Sequence, residues 1–229
     1  MSESSISFPN ETALYREARE ALLEKEKALR AQIEAVNEAR RALPLGGRIP
    51  EDYEFRQVSD DSVITFSELF SEGKDTLVLY SFMFAPDASQ PCASCNSLAD
   101  SFDGNALHLE DRVNFYIVSK APVMKMRAWA ESRAWRNLKI LSSSFNYYNR
   151  DYRGENAEGF QMPIINVFVK RDGEIYHSYA SELLFNTFEL GEPRHVDMLW
   201  PLWNVLDLTP QGRGKDWHPK LEYPVPQEK

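Results

Sequence analysis

The chain of 229 residues contains only two cysteines. A disulfide-scaffolded fold spreads several along the sequence, so that class is excluded. No apolar stretch approaches the roughly eighteen residues that a membrane-spanning helix needs. Met1 to Asn10 show no basic start followed by an apolar run. A secretory signal is therefore not expected, and the cytoplasm is the expected location. Positive charge is also short. Against 35 Asp and Glu stand 26 Lys and Arg, a formal net charge of −9. Such a surface repels nucleic-acid phosphates and has no pull toward acidic lipids, so neither nucleic acid nor membrane is an expected partner. No G-x-G-x-x-G follows a strand, which leaves no nicotinamide or flavin fingerprint and no expected cofactor.

What is present is a globular composition, 43% hydrophobic. The length suits one sizeable domain plus an extension. Glu11 to Leu43 reads as one long helix, free of Gly and Pro and rich in Ala, Leu, Glu, Lys, Gln and Arg. Asn10 is the expected cap. Leu22, Leu29, Val36 and Leu43 recur at heptad spacing, and Ala18 and Ile33 widen the stripe. Such a stripe packs either on its own domain or on a second copy, which makes a homodimer through this helix one reading. Pro44, Gly46, Gly47 and Pro50 then stop the helix. Residues 1–43 thus read as a helical extension. Residues 44–229 read as the main domain, with a Pro-rich, irregular tail after Thr209.

The main domain has mixed periodicity. Tyr53 to Val58 and Ser62 to Phe66 read as short strands joined by a Ser59-Asp60-Asp61 turn. Ser67 to Phe70 suits one helical turn. Thr76 to Phe84 (TLVLYSFMF) and Val113 to Ser119 (VNFYIVS) are nearly continuous apolar runs, as expected of strands buried on both faces. Between them a loop, Ala85 to Pro91, leads to a helical stretch with Leu98, Phe102, Leu107 and Leu109, interrupted near Gly104. Pro122 suits the first turn of another helix, with Met124, Trp129 and Ala130. Leu138 to Ser142 reads as a third short strand, while Ser144 to Tyr152 has no clear period. Ile164 to Lys170 and Glu174 to Tyr179 form a hairpin around Arg171-Asp172-Gly173-Glu174. A last helix is expected over Val196 to Leu206. This order predicts an α/β fold, a mixed sheet flanked by helices.

The two cysteines form a C-A-S-C motif, Cys92 to Cys95, after a buried strand and at a helix start. Thiolate is the reactive species, and an ordinary thiol with pKa ~8.5 is mostly protonated at neutral pH. Unpaired N–H groups and the dipole at a helix start favour the anion. Cys92 lies nearest that end, so it is the expected attacking thiol. Cys95, one turn further in, is placed to attack a mixed disulfide at Cys92 and release the product.

The segments ETALYREAREALLEKE, RRALPLGGRIPEDYEF, DTLVLYSFMFAPD, PCASCNSLADSFDG, VNFYIVSKAP and LDLTPQGRG resemble an uncharacterised bacterial family of thioredoxin-like proteins labelled predicted dithiol-disulfide oxidoreductases. The resemblance covers most of the chain. It implies a thioredoxin-like fold and a protein or small-molecule disulfide as substrate, with a separate reductase recycling the pair. It also implies a substrate-facing loop at Met162-Pro163, where thioredoxin-like folds set a cis proline opposite the cysteines. An X-Pro bond at a strand entry is a candidate for that form. The layout before the cysteines is similar to the peroxiredoxin branch too, which makes thiol peroxidase an alternative activity. It departs from that branch at Ser89, Gln90 and Pro91, where Thr is the rule, with Pro86 six positions ahead of Cys92. Pro91 also stands where thioredoxins carry Trp.

These residues have other possible uses. A zinc site would pair the cysteines with His108, but 111–113 (Asp111, Arg112, Val113) supply no second histidine, so no metal is expected. Two buried cysteines with no chemistry are the bland alternative. A non-catalytic interaction module, dimerising through the N-terminal helix, is the alternative to an enzyme. Lys120, after a strand, is a candidate electropositive neighbour of the cysteines. His177 reads as an ordinary half-exposed strand residue, and Phe145, Tyr147, Tyr148 and Tyr152 as packing aromatics.

Overall fold

The densest run of helix formers does become a helix, α1, over Ala13–Arg41. Its cap is Thr12, whose hydroxyl accepts from the Tyr15 N–H at 3.2 Å. Asn10, the expected cap, instead turns the chain with φ 62°. A cap residue must be extended to aim its side chain at the first turn, as Thr12 is with ψ 157°. Arg40 and Arg41 complement the negative end of the helix dipole. No residue of α1 is buried. The computed structural model describes residues 6–182, 199–214 and 217–224. Its chain divides into two compact units, Met1–Pro44 and Leu45–Lys229.

The second unit is built on one seven-stranded sheet. Its strands are β1 (Glu54–Gln57), β2 (Val63–Thr65), β3 (Thr76–Ser81), β4 (Asn114–Ser119), β5 (Ile140–Ser142), β6 (Ile164–Arg171) and β7 (Glu174–Ala180), in the spatial order β2-β1-β5-β4-β3-β6-β7. β3, β4 and β5 run parallel, and β6 and β7 antiparallel to their neighbours. The helices are α2 (Ala93–Arg112), α3 (Val123–Ser132), α4 (Tyr148–Asp151) and α5 (Pro201–Asp207), with a 3-10 turn at Phe66–Leu69. A β3–α2–β4 crossover joined to the β6–β7 hairpin and α5, with strand order β4-β3-β6-β7, is the thioredoxin-like α/β arrangement.

The apolar runs are buried on both faces because alternate side chains point opposite ways. Val78, Tyr80, Phe115 and Ile117 join the cluster under α2 and α3, with Leu98, Ala99, Phe102 and Met126. Leu77, Leu79, Tyr116 and Val118 join a second cluster with Tyr53, Phe55, Phe66, Tyr148 and Phe168. The hairpin turns at Asp172 (φ 53°) and Gly173 (φ 82°), left-handed conformations suited to a tight two-residue turn. Gly46 donates to the His177 carbonyl at 2.9 Å, and a Cβ there would lie 2.7 Å from that oxygen. Only glycine fits.

The second unit departs from the sequence pattern at several places. α2 is not interrupted at Gly104. That residue faces open space, and the helix-stabilising contacts of Phe102 and Ala106 on either side outweigh its cost of about 1 kcal/mol. Pro122 is the cap of α3 rather than part of its first turn. The unassigned Ser144–Tyr152 stretch contains α4. The last helix begins at Pro201, and residues 196–198 of its expected range lie outside the described residues. Among its described residues the tail is irregular, yet it is held by contacts. Trp217 packs edge-on against Trp203 at 5.7 Å, and the Leu221 carbonyl accepts from Arg133.

Candidate active site

β3 ends at Ser81, and the chain continues through Phe82, Met83 and Phe84 into the loop before Cys92. The Cys92 N–H returns to the Met83 carbonyl at 3.0 Å, which closes that loop. Cys92 is then the cap of α2, in extended conformation with φ −61° and ψ 125°. Its sulfur accepts from the Cys95 N–H at 3.4 Å. The two cysteines approach to 3.6 Å. Both are free thiols, Cys92 half-buried and Cys95 buried.

This placement separates the two sulfurs electrostatically. The Cys95 side chain donates to the Cys92 sulfur, and the Cys95 and Ser94 N–H groups add to it against the cost of partial burial. Together they bring the Cys92 pKa down from 9.0 to about 6. Cys95 moves the other way. Its bond to Cys92, its burial and the adjacent Cys92 charge all push its pKa up. At neutral pH the pair holds one thiolate, on the outer sulfur.

A residue that nothing local in the sequence marks stands near this pair. Tyr80 shares the buried cluster of Cys95, and its hydroxyl and the Met83 N–H temper the rise of the Cys95 pKa. Tyr80 was legible only as one apolar position of a buried strand. Its place in that cluster with Cys95 depends on α2 lying across β3.

Lys125, on α3, is bonded to the loop before Cys92. Lys125 Nζ donates to the carbonyls of Ala85 at 3.1 Å, Pro86 at 2.9 Å and Ala88, and it sits 4.5 Å from the centre of the Phe84 ring. It staples the loop that delivers Cys92. Lys120 Nζ instead donates to the Asn146 carbonyl at 3.1 Å and pairs with Glu155 at 3.6 Å. Its charge is engaged there, and Cys92 is stabilised by Cys95 and helix-start amides instead.

Met162 and Pro163 stand at the same end of the sheet as the cysteine loop. β6 runs antiparallel to β3 with Ile164 opposite Ser81, so Pro163 lies just beyond the last paired residue of the strand leading to Cys92. The candidate cis bond is not formed. No peptide bond among the described residues is cis, and trans is the favoured state even before proline. The Met162 N–H is taken by the Gly154 carbonyl at 2.9 Å.

The remaining candidates are settled by their surroundings. His108 is exposed on α2, thirteen residues beyond Cys95, a rise of about 20 Å along the helix, and cannot share a metal with the cysteines. Among the described residues no group of three or more His, Cys, Asp or Glu is arranged to hold a metal. His177 bonds Asn166 Oδ1 at 3.0 Å between the rings of Tyr152 and Phe168, a packing role. Tyr148 and Tyr152 pack as expected, but Phe145 is 90% exposed and Tyr147 is exposed too, because their loop turns outward before α4. No helix among the described residues is long and apolar enough to cross a membrane.

A family described as "Bacterial protein of unknown function (DUF899)" matches residues 6–225. No curated protein matches the chain at the sequence level. Among solved structures, the chain is similar to an uncharacterized conserved protein of Geobacillus kaustophilus, with 15% identity and TM-score 0.45 over 62% of this chain and 70% of that one. It is similar to peroxiredoxin Q of Xanthomonas campestris, with 12% identity and TM-score 0.46 over 69% and 97%. It is also similar to an exposed lipoprotein thioredoxin of Streptococcus pneumoniae, with 17% identity and TM-score 0.41 over 66% and 99%.

Proposed function

The chain belongs to the DUF899 family of bacterial proteins, and on that premise we propose that it is a thiol-disulfide oxidoreductase working through Cys92 and Cys95. The observation that carries this reading is the split between two sulfurs 3.6 Å apart, one held at the start of α2 with its pKa near 6, the other buried behind it. The Cys92 thiolate attacks a substrate disulfide, forms a mixed disulfide and releases the first substrate thiolate. Cys95 then attacks the Cys92 sulfur. The Cys92–Cys95 bond forms, the mixed disulfide breaks, and the second substrate thiol leaves with the Cys95 proton. The substrate gains two electrons and the protein becomes oxidised. A dithiol reductant restores it, as suits a reducing cytoplasm. Met162 and Pro163 form the edge against which an extended substrate is laid, a role supported by their register beside the cysteine loop.

Two measurements test this. Thiolate absorbance against pH is expected to show a midpoint near 6 that Cys92→Ser removes. Reduced protein is expected to reduce a protein disulfide faster than it consumes hydrogen peroxide. The reverse preference replaces this reading with thiol peroxidase. A Cys92 midpoint above about 8.5, with no intramolecular disulfide on oxidation, overturns both.

Self-association through α1 belongs to the same proposal. Leu22, Leu29 and Val36 are exposed along that helix, with Leu43 exposed just past its end, and a second copy offers the same stripe. Light scattering is expected to show a dimer that becomes a monomer when residues 1–43 are removed. A dimer that survives the deletion rules this contact out.

A further inference from the structure

Resolution of a mixed disulfide depends on how firmly the two sulfurs, 3.6 Å apart, are held relative to each other. Two pieces of chain carry them. The loop after Phe84 delivers Cys92, and the first turn of α2 carries Cys95. One helix grips both pieces. Lys125 and Trp129 stand four residues apart on α3, neighbours on one face of it. Lys125 Nζ donates to the loop carbonyls of Ala85 at 3.1 Å, Pro86 at 2.9 Å and Ala88. Trp129 Nε1 donates to Asn96 Oδ1 at 2.9 Å. Asn96 directly follows Cys95 and is buried at 1% exposure, and its backbone N–H donates to the Cys92 carbonyl at 2.9 Å. Its side-chain amide donates in turn to Asp100 at 3.1 Å, so both ends of that amide are engaged. Phe84 touches both grips, with its ring centre 4.5 Å from Lys125 Nζ and edge-on to the Trp129 ring at 5.9 Å.

We propose that Trp129 is a positioning residue of the disulfide exchange, its bond to Asn96 holding the turn that carries Cys95 while Lys125 holds the loop that carries Cys92. This deepens the oxidoreductase reading and rests on it. α3 works as a clamp across the pair, and neither gripping side chain has to meet the substrate. With the Lys125 grip intact, Cys92 stays presented for attack. Without the Trp129 grip, the first turn of α2 loosens, and Cys95 spends less time within reach of the Cys92 sulfur. The attacking step is then spared and the resolving step slowed. A second indole supplies the contrast. Trp135, just past α3, donates from Nε1 to Asp100 of the same α2 at 2.8 Å. The bond is of the same kind and to the same helix, but about one turn further from the sulfurs.

The experiment uses the full chain, reduced, mixed with excess dithiodipyridine. The Cys92 thiolate attacks the reagent's disulfide and releases one thiopyridone. Cys95 then attacks the Cys92 sulfur, the Cys92–Cys95 bond forms, and a second thiopyridone leaves with the Cys95 proton. A second phase independent of reagent concentration reports that resolution. Trp129→Phe keeps a ring against Phe84 and loses the N–H. It is expected to leave the first phase unchanged and slow the second about tenfold, since misplacing reacting groups by about 1 Å costs up to about a hundredfold. Trp135→Phe is expected to lower the unfolding midpoint similarly and leave both phases as they are. Asn96→Leu removes the acceptor of the same bond. It is expected to reproduce Trp129→Phe, and it answers the question should that variant not fold. A second phase of wild-type rate in folded Trp129→Phe, or one slowed equally in Trp135→Phe, overturns the inference and leaves the oxidoreductase reading standing. A wild-type protein with no such second phase brings down both.

Discussion

On one face of the sheet, Tyr80, Phe115 and Ile117 meet α2 and α3. On the other, Leu77, Leu79, Tyr116 and Val118 meet Tyr53, Phe55, Phe66 and Tyr148. Both faces use alternate residues of the same two central strands, and both are packed with aromatic rings. In the second cluster the rings serve each other. Phe66 and Phe168 stand edge to face at 4.8 Å, and the Tyr53 hydroxyl finds Asp151 at 2.8 Å. In the first, a twenty-residue helix begins over the sheet and brings unpaired amides with it. The contrast teaches what the proposed chemistry asks beyond a polar group in a core. It asks for a long helix that follows a buried strand through a closed loop, with a sulfur as its cap.

The comparison can be broken most directly at its reactive atom. Cys92→Ser is expected to reduce disulfide turnover to background while the fold persists. Cys95→Ser should still attack and should accumulate the mixed disulfide, visible by mass spectrometry. If Cys92→Ser retains turnover, the first face holds no chemistry of the kind argued. Phe168→Ala strikes the other face. It should cost about 3–5 kcal/mol in a denaturant titration, with the Cys92 thiolate midpoint unmoved in the folded fraction. A shifted midpoint would show that the two faces are coupled.

The pH dependence sharpens the contrast within the first face. The folded pKa of Cys92 is depressed from 9.0 to about 6, and that of Cys95 is raised above 9.0. As pH rises from about 6 toward 9, unfolded Cys92 still holds a proton that the folded residue has released, so the reduced protein gains stability. Above about 9 unfolded Cys95 ionises while the folded residue does not, and stability falls again. The difference between reduced and oxidised denaturation midpoints should rise and then fall across that window. A flat difference would contradict the split between the sulfurs.

Smaller effects test the second face and the sheet edge. Tyr53→Phe removes the bond to Asp151 and should cost about 1.5 kcal/mol by the same titration, with disulfide exchange unaffected. Gly173→Ala, in the left-handed turn of the β6–β7 hairpin, should cost about 1 kcal/mol and leave both sulfurs as they are.

Much of this was readable along the chain. The apolar runs TLVLYSFMF and VNFYIVS become β3 and β4 because continuous hydrophobicity demands burial on both faces. The Asp172-Gly173 turn needs two left-handed residues, and those two supply them. Cys92 at a helix start followed from a cysteine placed between a strand and helix-forming residues. What was not readable involved partners distant in sequence. Lys125 matters because α3 lies beside the loop from Ala85 to Ala88, and nothing local marks it above Lys120. Asn10 lost the cap to Thr12 because backbone direction, not side-chain type, decided between two suitable residues.

The order of sulfurs along α2, outer first and inner one turn later, is a property of the chain alone, since three residues span about one helical turn wherever that helix is placed. The surroundings of the inner sulfur are not. Tyr80 precedes Cys95 by fifteen positions on a different element, and only the crossing of α2 over β3 sets the two in one buried cluster. Local sequence sets hydrogen bonds within a helix turn. Contacts across elements are set by which face of a strand the folded core places beneath which turn of a helix.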